Sequence, residues 1–218
     1  MKKDDISTFD PQEDFSVVER SLPHWSQAGT VCFITWRLAD SLPQHVLQQL
    51  DEQIEQLLAA EQLPVRNWQS ELAQRDPGYR GKVYWQLFRI RDKFMDAGHG
   101  ACWLASPAAA SEVLNALRHF DEDRYFLTDA VVMPNHVHFL CAFPGEAAML
   151  KQCRAWKQFT ARRLNQLAGR SGQFWQVDQY DHLIRSPAQF THYRSYIRMN
   201  PAQAGLPDDA FRHYSKSL

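Results

Sequence analysis

The stretch that most restricts this chain is residues 125–143, where two apolar runs, 125–133 and 136–143, are separated by only Pro134 and Asn135. Proline donates no backbone hydrogen bond, so a central strand cannot run through it. Proline followed by asparagine is turn chemistry instead, and the two runs read as the arms of a β-hairpin.

Upstream, residues 31–38 (VCFITWRL) combine β-branched and aromatic residues with partial alternation, the pattern of a strand. Ser41, Leu42 and Pro43 then open a helical pattern in which Val46, Leu47, Leu50, Ile54, Leu57 and Leu58 recur at three- and four-residue spacing. The polar stretch 64–78 interrupts it. A second helix is expected over 82–95 and a third over 107–120, with Ser106 as the cap and Pro107 in the first-turn position, whose N–H needs no helical partner. Beyond the hairpin, 146–167 reads as a basic helix, 172–180 (GQFWQVDQY) as a short last strand and 187–200 as the last helix. Ser186 and Gln189 stand at the N-cap and third positions of a capping box, and Pro201 is expected to end that helix by removing a bond and clashing with the preceding turn.

With the inserted helices set aside, the order is strand, helix, strand, strand, helix, strand, helix. That order specifies an α+β chain with a ferredoxin-like split βαββαβ core, an antiparallel sheet and one appended C-terminal helix. The expected organisation is an N-terminal arm over 1–28, including Leu22, Pro23, His24 and Trp25, then a single domain over 29–206 with a helical insertion at about 43–100, and a C-terminal tail over 207–218.

At 218 residues, 44% apolar and 12% aromatic, the chain can bury one good core and is not of disordered or fibrous composition. Cys32, Cys102, Cys141 and Cys153 form no C-x-x-C pair and read as reduced thiols. The first residues lack the apolar core of a signal peptide, and no stretch approaches eighteen apolar residues, so a soluble cytoplasmic protein with no membrane partner is expected. The net charge of -1 hides an asymmetry. Residues 1–150 hold 13 Lys and Arg against 21 Asp and Glu, whereas residues 151–200 hold 9 against 2. A polyanion would be drawn to the second segment while the first limits indiscriminate binding.

Strand side chains alternate with period two, so His136 and His138 share one face while Val137 and Phe139 share the other. Two imidazoles on a stiff strand make a platform for a metal, although the same spacing also suits a histidine pair with no ligand. Two nitrogens do not fill a coordination shell. On the last helix, Tyr196 and Asn200 stand one turn apart on one face, where Asn200 could assist an ion and the Tyr196 hydroxyl could reach a phosphate. Tyr193 lies on nearly the same face, so spacing alone does not choose between the two phenols. Arg154, Lys157, Arg162 and Arg163 recur along the basic helix and, with Arg185, are candidate phosphate contacts; a basic solvated face has the same pattern. Trp156, Phe159, Phe174 and Trp175 suit a core, and one of them could stack a base only if exposed.

These stretches together resemble the IS200-like, or REP-associated, tyrosine transposases of the HUH superfamily, single-tyrosine (Y1) type. The resemblance is carried by 130–140 (AVVMPNHVHFL), 156–162 (WKQFTAR), 174–176 (FWQ), 181–185 (DHLIR) and 196–206 (YIRMNPAQAGL), with 33–37 (FITWR) upstream. It implies that His136 and His138 ligate Mg²⁺ or Mn²⁺, that Tyr196 is the nucleophile, and that Asn200 assists the metal. It also implies a transposase-like single-stranded DNA endonuclease and strand transferase, which forms a 5′-phosphotyrosine intermediate at hairpin or repeated palindromic DNA. In the insertion-sequence branch the position of Asn200 is commonly glutamine, and asparagine is shorter. That difference and the long segment 43–100 suit the alternative, a catalytically weak or inactive hairpin nucleic-acid binding protein. Monomer and homodimer are both compatible with the sequence.

Overall fold

The computed structural model describes residues 1–18 and 24–218; Leu22 and Pro23 of the expected arm lie outside the described residues. In chain order the elements are β1 (Ser16–Val18), β2 (His24–Ser26), β3 (Val31–Arg37), α1 (Gln44–Ala60), α2 (Trp68–Ala73), α3 (Pro77–Asp96), α4 (Pro107–Arg118), β4 (Phe126–Val132), β5 (His136–Ala142), α5 (Glu146–Leu167), β6 (Tyr180–Leu183), α6 (Pro187–Gln203) and β7 (Arg212–Ser215). They fall into two compact units, one made of Met1–Ala39 with Cys102–Leu218 and the other of Asp40–Ala101.

The first unit is α+β. Its five-stranded sheet has the order β6-β3-β5-β4-β7, with every neighbouring pair antiparallel. Setting β7 aside, this is the strand order of a split βαββαβ core: α4 crosses from β3 to β4 and α5 from β5 to β6, while the Pro134-Asn135 hairpin joins β4 to β5. Alternation sorts the two faces. Ile34, Trp36, Val137, Phe139, Ala130 and Val132 turn to one side and pack with Val113, Leu117, Cys153, Trp156 and Leu164 of α4 and α5. The other side carries Phe33, Thr35, His136 and His138, and α6 packs there against β4 and β5.

An irregularity in β4 between Leu127 and Asp129 adjusts this alternation. The extra residue lets Leu127 and Ala130 both join the α4/α5 core, three positions apart, and turns Asp129 toward α6.

Several elements differ from the sequence reading. The segment 174–180 is not a continuous strand. Phe174 and Trp175 are core residues, joined to residues 37–39 by the Gln176 N–H to Arg37 O and Ala39 N–H to Phe174 O bonds, and the regular strand β6 begins only at Tyr180. Between them the chain bows outward, and the Lys157 ammonium donates to the carbonyls of Gln176, Val177 and Asp178 at 3.1, 3.1 and 3.2 Å. Helix α6 runs past Pro201 to Gln203: the Ala204 N–H reaches Asn200 O and the Leu206 N–H reaches Pro201 O, so one missing donor does not stop the last turn. Ser186 caps α6 by accepting from the Gln189 N–H, but the Gln189 carboxamide accepts from the Arg185 N–H, one residue short of a full capping box. Residues 212–215 form β7, an edge strand not expected from the sequence.

The second unit is helical. Val46, Leu50 and Met95 pack with Leu42, while Leu58, Leu63, Trp68, Leu72, Val83 and Leu87 form a second cluster. The polar stretch 64–78 therefore contains a short helix, because Trp68 and Leu72, one turn apart, have an apolar surface to cover. Asp76 caps α3 by accepting from the Tyr79 N–H at 2.9 Å, with Pro77 at the first position. The ends of the unit meet. Ala101 N–H donates to the Asp40 carboxylate at 3.1 Å, and Gly100 adopts φ +83 where any Cβ would collide with the Asp40 carbonyl. Among the described residues, no helix is long and apolar enough to cross a membrane.

Candidate metal and nucleophile site

His136 and His138 lie on β5 with their ring centroids 4.6 Å apart, and one ligating nitrogen of each ring is within 4.8 Å of the other's. Both are essentially buried, at 1% and 0% exposure. His136 Nδ1 lies 2.8 Å from Asn135 Oδ1, and His138 Nδ1 lies 2.8 Å from the Thr35 hydroxyl. The second contact follows from register, since Thr35 stands opposite His138 across the β3–β5 ladder. Phe33, two residues before Thr35, stacks on the His138 ring at 5.4 Å and 20°.

Helix α6 buries Tyr193, Tyr196, Ile197 and Asn200, a stripe at three- and four-residue spacing, against this face. The Tyr196 ring is 5.5 Å from that of His138 and 5.9 Å from that of Phe33. Asn200 Nδ2 donates to the Tyr196 hydroxyl at 3.4 Å, and the buried Asn200 Oδ1 accepts no hydrogen bond from the described residues. Tyr193 sits differently. Its ring packs on Phe33 at 4.5 Å and on His182 at 5.5 Å, and its hydroxyl is engaged by Tyr180. Burial, followed by the Tyr180 hydroxyl, pushes the Tyr193 phenol well above its ordinary pKa. Beside it, burial and then the Arg185 charge push His182 down to about 4, and Gln189 Nε2 lies 3.0 Å from His182 Nε2.

The helix is tied to the sheet by Arg194, whose guanidinium bonds Asp129 at 2.8 Å, Ser215 Oγ at 2.9 Å and Lys216 O at 2.7 Å. Asp129 also accepts from Ser215 Oγ at 2.6 Å.

The basic residues of α5 lie on the opposite side of the sheet from the imidazoles, as Trp156 in the α4/α5 core requires. Arg154 and Arg162 are exposed, and Arg154 lines two adjoining depressions on the helix. Arg163 pairs with Glu112 at 3.1 Å. Lys157 is clamped by the three carbonyls, and burial lowers its pKa to about 8. Arg185 is exposed beside the start of α6. Of the four aromatics considered in the sequence, Trp156, Phe174 and Trp175 are core and Phe159 is exposed. Sequence reasoning passed over Thr35, Phe33, Asp129 and Arg194. Only Thr35, a polar residue inside an otherwise apolar strand, carried a visible signal.

The chain matches no family model and no curated protein. Among solved structures it is similar to a REP-associated tyrosine transposase bound to a REP hairpin, at 17% identity and a TM-score of 0.42, with 84% of this chain and 73% of that chain covered.

Proposed function

We propose that this chain is a metal-dependent single-stranded DNA endonuclease and strand transferase of the tyrosine HUH type, acting at hairpin or repeated palindromic DNA. The observation that carries the reading is the meeting of the buried His136–His138 pair on β5 with the Tyr196 phenol on α6, at a ring separation of 5.5 Å from His138.

The donor set fits a divalent ion. Each imidazole has Nδ1 beside a neighbouring oxygen, as metal-ligating histidines commonly do, so Nε2 of each ring is the atom that would be offered to a metal. His136 and His138 would hold Mg²⁺ or Mn²⁺, with Asn200 Oδ1 as an assisting oxygen; the bound ion would withdraw charge from the scissile phosphate. Tyr196 Oη forms the new P–O bond as the P–O3′ bond breaks. The phenol proton passes to solvent, the departing 3′-oxygen gains one, and the 5′-phosphate stays on the protein. Attack by a 3′-hydroxyl on that phosphotyrosine reverses the step and joins strands. Asn200 Nδ2 donates to the phenol oxygen, the direction of bonding that favours negative charge there. Tyr193 is the poorer nucleophile, because its hydroxyl is taken by Tyr180 and burial disfavours its ionised form. Arg154 and Arg162 are exposed and suited to phosphate contact, and Arg185 is also exposed beside the start of α6; Lys157 and Arg163 already have protein partners.

Incubation of labelled single-stranded hairpin DNA with the protein and Mn²⁺ is expected to trap a covalent adduct, absent with chelator and absent in Tyr196→Phe. An undiminished adduct in Tyr196→Phe would remove the assignment, and loss confined to Tyr193→Phe would move it to that neighbour. The alternative, a hairpin binder without efficient chemistry, is favoured by the short Asn200 side chain, whose amide nitrogen is already committed to Tyr196. DNA binding with no metal-dependent adduct from the unaltered chain would select it.

A further inference from the structure

The two imidazoles are held at the same ring nitrogen by two different oxygens. Asn135 Oδ1 is an amide oxygen, which only accepts, so the His136 Nδ1 at 2.8 Å must carry a hydrogen. Thr35 Oγ1, 2.8 Å from His138 Nδ1, could donate or accept. Were it to donate, His138 would carry its hydrogen on Nε2, the nitrogen that a cation held by both rings would need bare. Were it to accept, both rings would present lone pairs to one point. Rotation of the His138 ring to escape the contact is opposed by Phe33, stacked on it at 5.4 Å, and Thr35 is held opposite by the ladder.

We infer that Thr35 and Asn135 are positioning residues that lock His138 and His136 in the Nδ1–H tautomer, so that both Nε2 lone pairs are set for a single divalent cation before it binds. The purpose of the lock rests on the proposed metal site, whereas the tautomers themselves can be read without any metal. Preorganisation of this kind is worth ~10- to 100-fold in metal affinity when a partner of a ligating histidine is removed.

The test uses the full chain, metal-free and labelled with ¹⁵N-histidine. Long-range ¹H–¹⁵N correlation spectra are expected to show hydrogen on Nδ1 and a bare Nε2 for both residues. Thr35→Val, which keeps the shape and removes the acceptor, is expected to shift His138 toward Nε2–H and to weaken Mn²⁺ binding, followed by electron paramagnetic resonance, by ~10- to 100-fold. Thr35→Ser should restore both, and Asn135→Ala should act in the same way on His136. An Nε2–H on His138 in the unaltered metal-free protein, or Thr35→Val binding Mn²⁺ as tightly as the parent, would overturn the inference. Nδ1–H on both rings with no Mn²⁺ bound by the parent would support the lock and overturn the metal reading, so the two fail separately.

Discussion

Phe33 touches the rings of His138, Tyr193 and Tyr196, so a site of polar groups is assembled on one buried phenylalanine. Residues of this kind were partly legible in the sequence. His136 and His138 stood out because period two puts them on one face, and Tyr196 and Asn200 because one helical turn aligns them. Thr35 showed only as a polar residue inside an apolar strand, since its meaning depends on which residue it faces across a ladder, and no local pattern encodes that register. Lys157 was grouped with its basic neighbours because composition cannot distinguish an ammonium bound to carbonyls from one available to phosphate. His182, adjacent to this cluster, gives a residue-level prediction. Its pKa is pushed down to about 4 by burial, against about 6.5 when unfolded, and an amide nitrogen donating to Nε2 agrees with a neutral ring. Between those values the unfolded chain binds a proton that the folded chain refuses. Stability is therefore full above pH 6.5 and falls as the pH drops toward 4, by roughly 3 kcal/mol for a shift of this size. His182→Gln is expected to lose that part of the slope in urea titrations run from pH 6.5 to 4; parallel slopes for variant and parent would rule it out.

At the scale of elements, α6 was recognisable from Ser186 and Gln189 at its start, but nothing in its own sequence said how it is fastened. The fastening is tertiary. An irregularity in β4 turns Asp129 toward the helix, and Arg194 spans Asp129, Ser215 and Lys216, so the helix that carries Tyr196 depends on the edge strand β7. The differences at β6 and Pro201 have separate origins: apolar Phe174 and Trp175 resembled strand but are core residues ahead of it, a tertiary effect, whereas the last turn of α6 is completed by local backbone bonds beyond the proline. Asp129 has a side-chain exposure of 2% against 28% for Arg194, so removing the arginine strands a buried charge. Arg194→Met is expected to cost about 3 kcal/mol, the lower end of the range for breaking a buried pair, because Ser215 still donates to the carboxylate. Asp129→Asn combined with Arg194→Met should cost less, since no unpaired charge remains. A urea-unfolding loss below about 1 kcal/mol for the single variant would show that the pair does not anchor the helix.

For the whole molecule, the split βαββαβ order was legible because the hairpin and the alternation of strands with crossover helices pointed the same way. The inserted residues were legible as helical, although their separate apolar clusters were not, because a cluster is a property of three helices together. Charge is the remaining global feature. The excess of cations over 151–200 is carried in part by α5, where Lys151, Arg154 and Arg162 are exposed at three- to eight-residue spacing and form no ion pair with the described residues. Because α5 covers the sheet face opposite the imidazoles, a strand held by these cations is not held at the His136, His138 and Tyr196 cluster. Binding and chemistry should then respond to different substitutions. Each phosphate neutralised on a single strand releases counterions worth roughly 0.7 in the slope of log affinity against log salt, so replacing Lys151, Arg154 and Arg162 together by glutamine should make that slope shallower by about 2. Adduct formation at saturating DNA is expected to stay near the parent level, since Tyr196, His136 and His138 are untouched. If the variant binds hairpin DNA with the parent's salt slope, α5 is a solvated face and the polyanion is held elsewhere; if the slope falls as expected, the charge asymmetry marks a DNA-contact surface separate from the Tyr196 cluster.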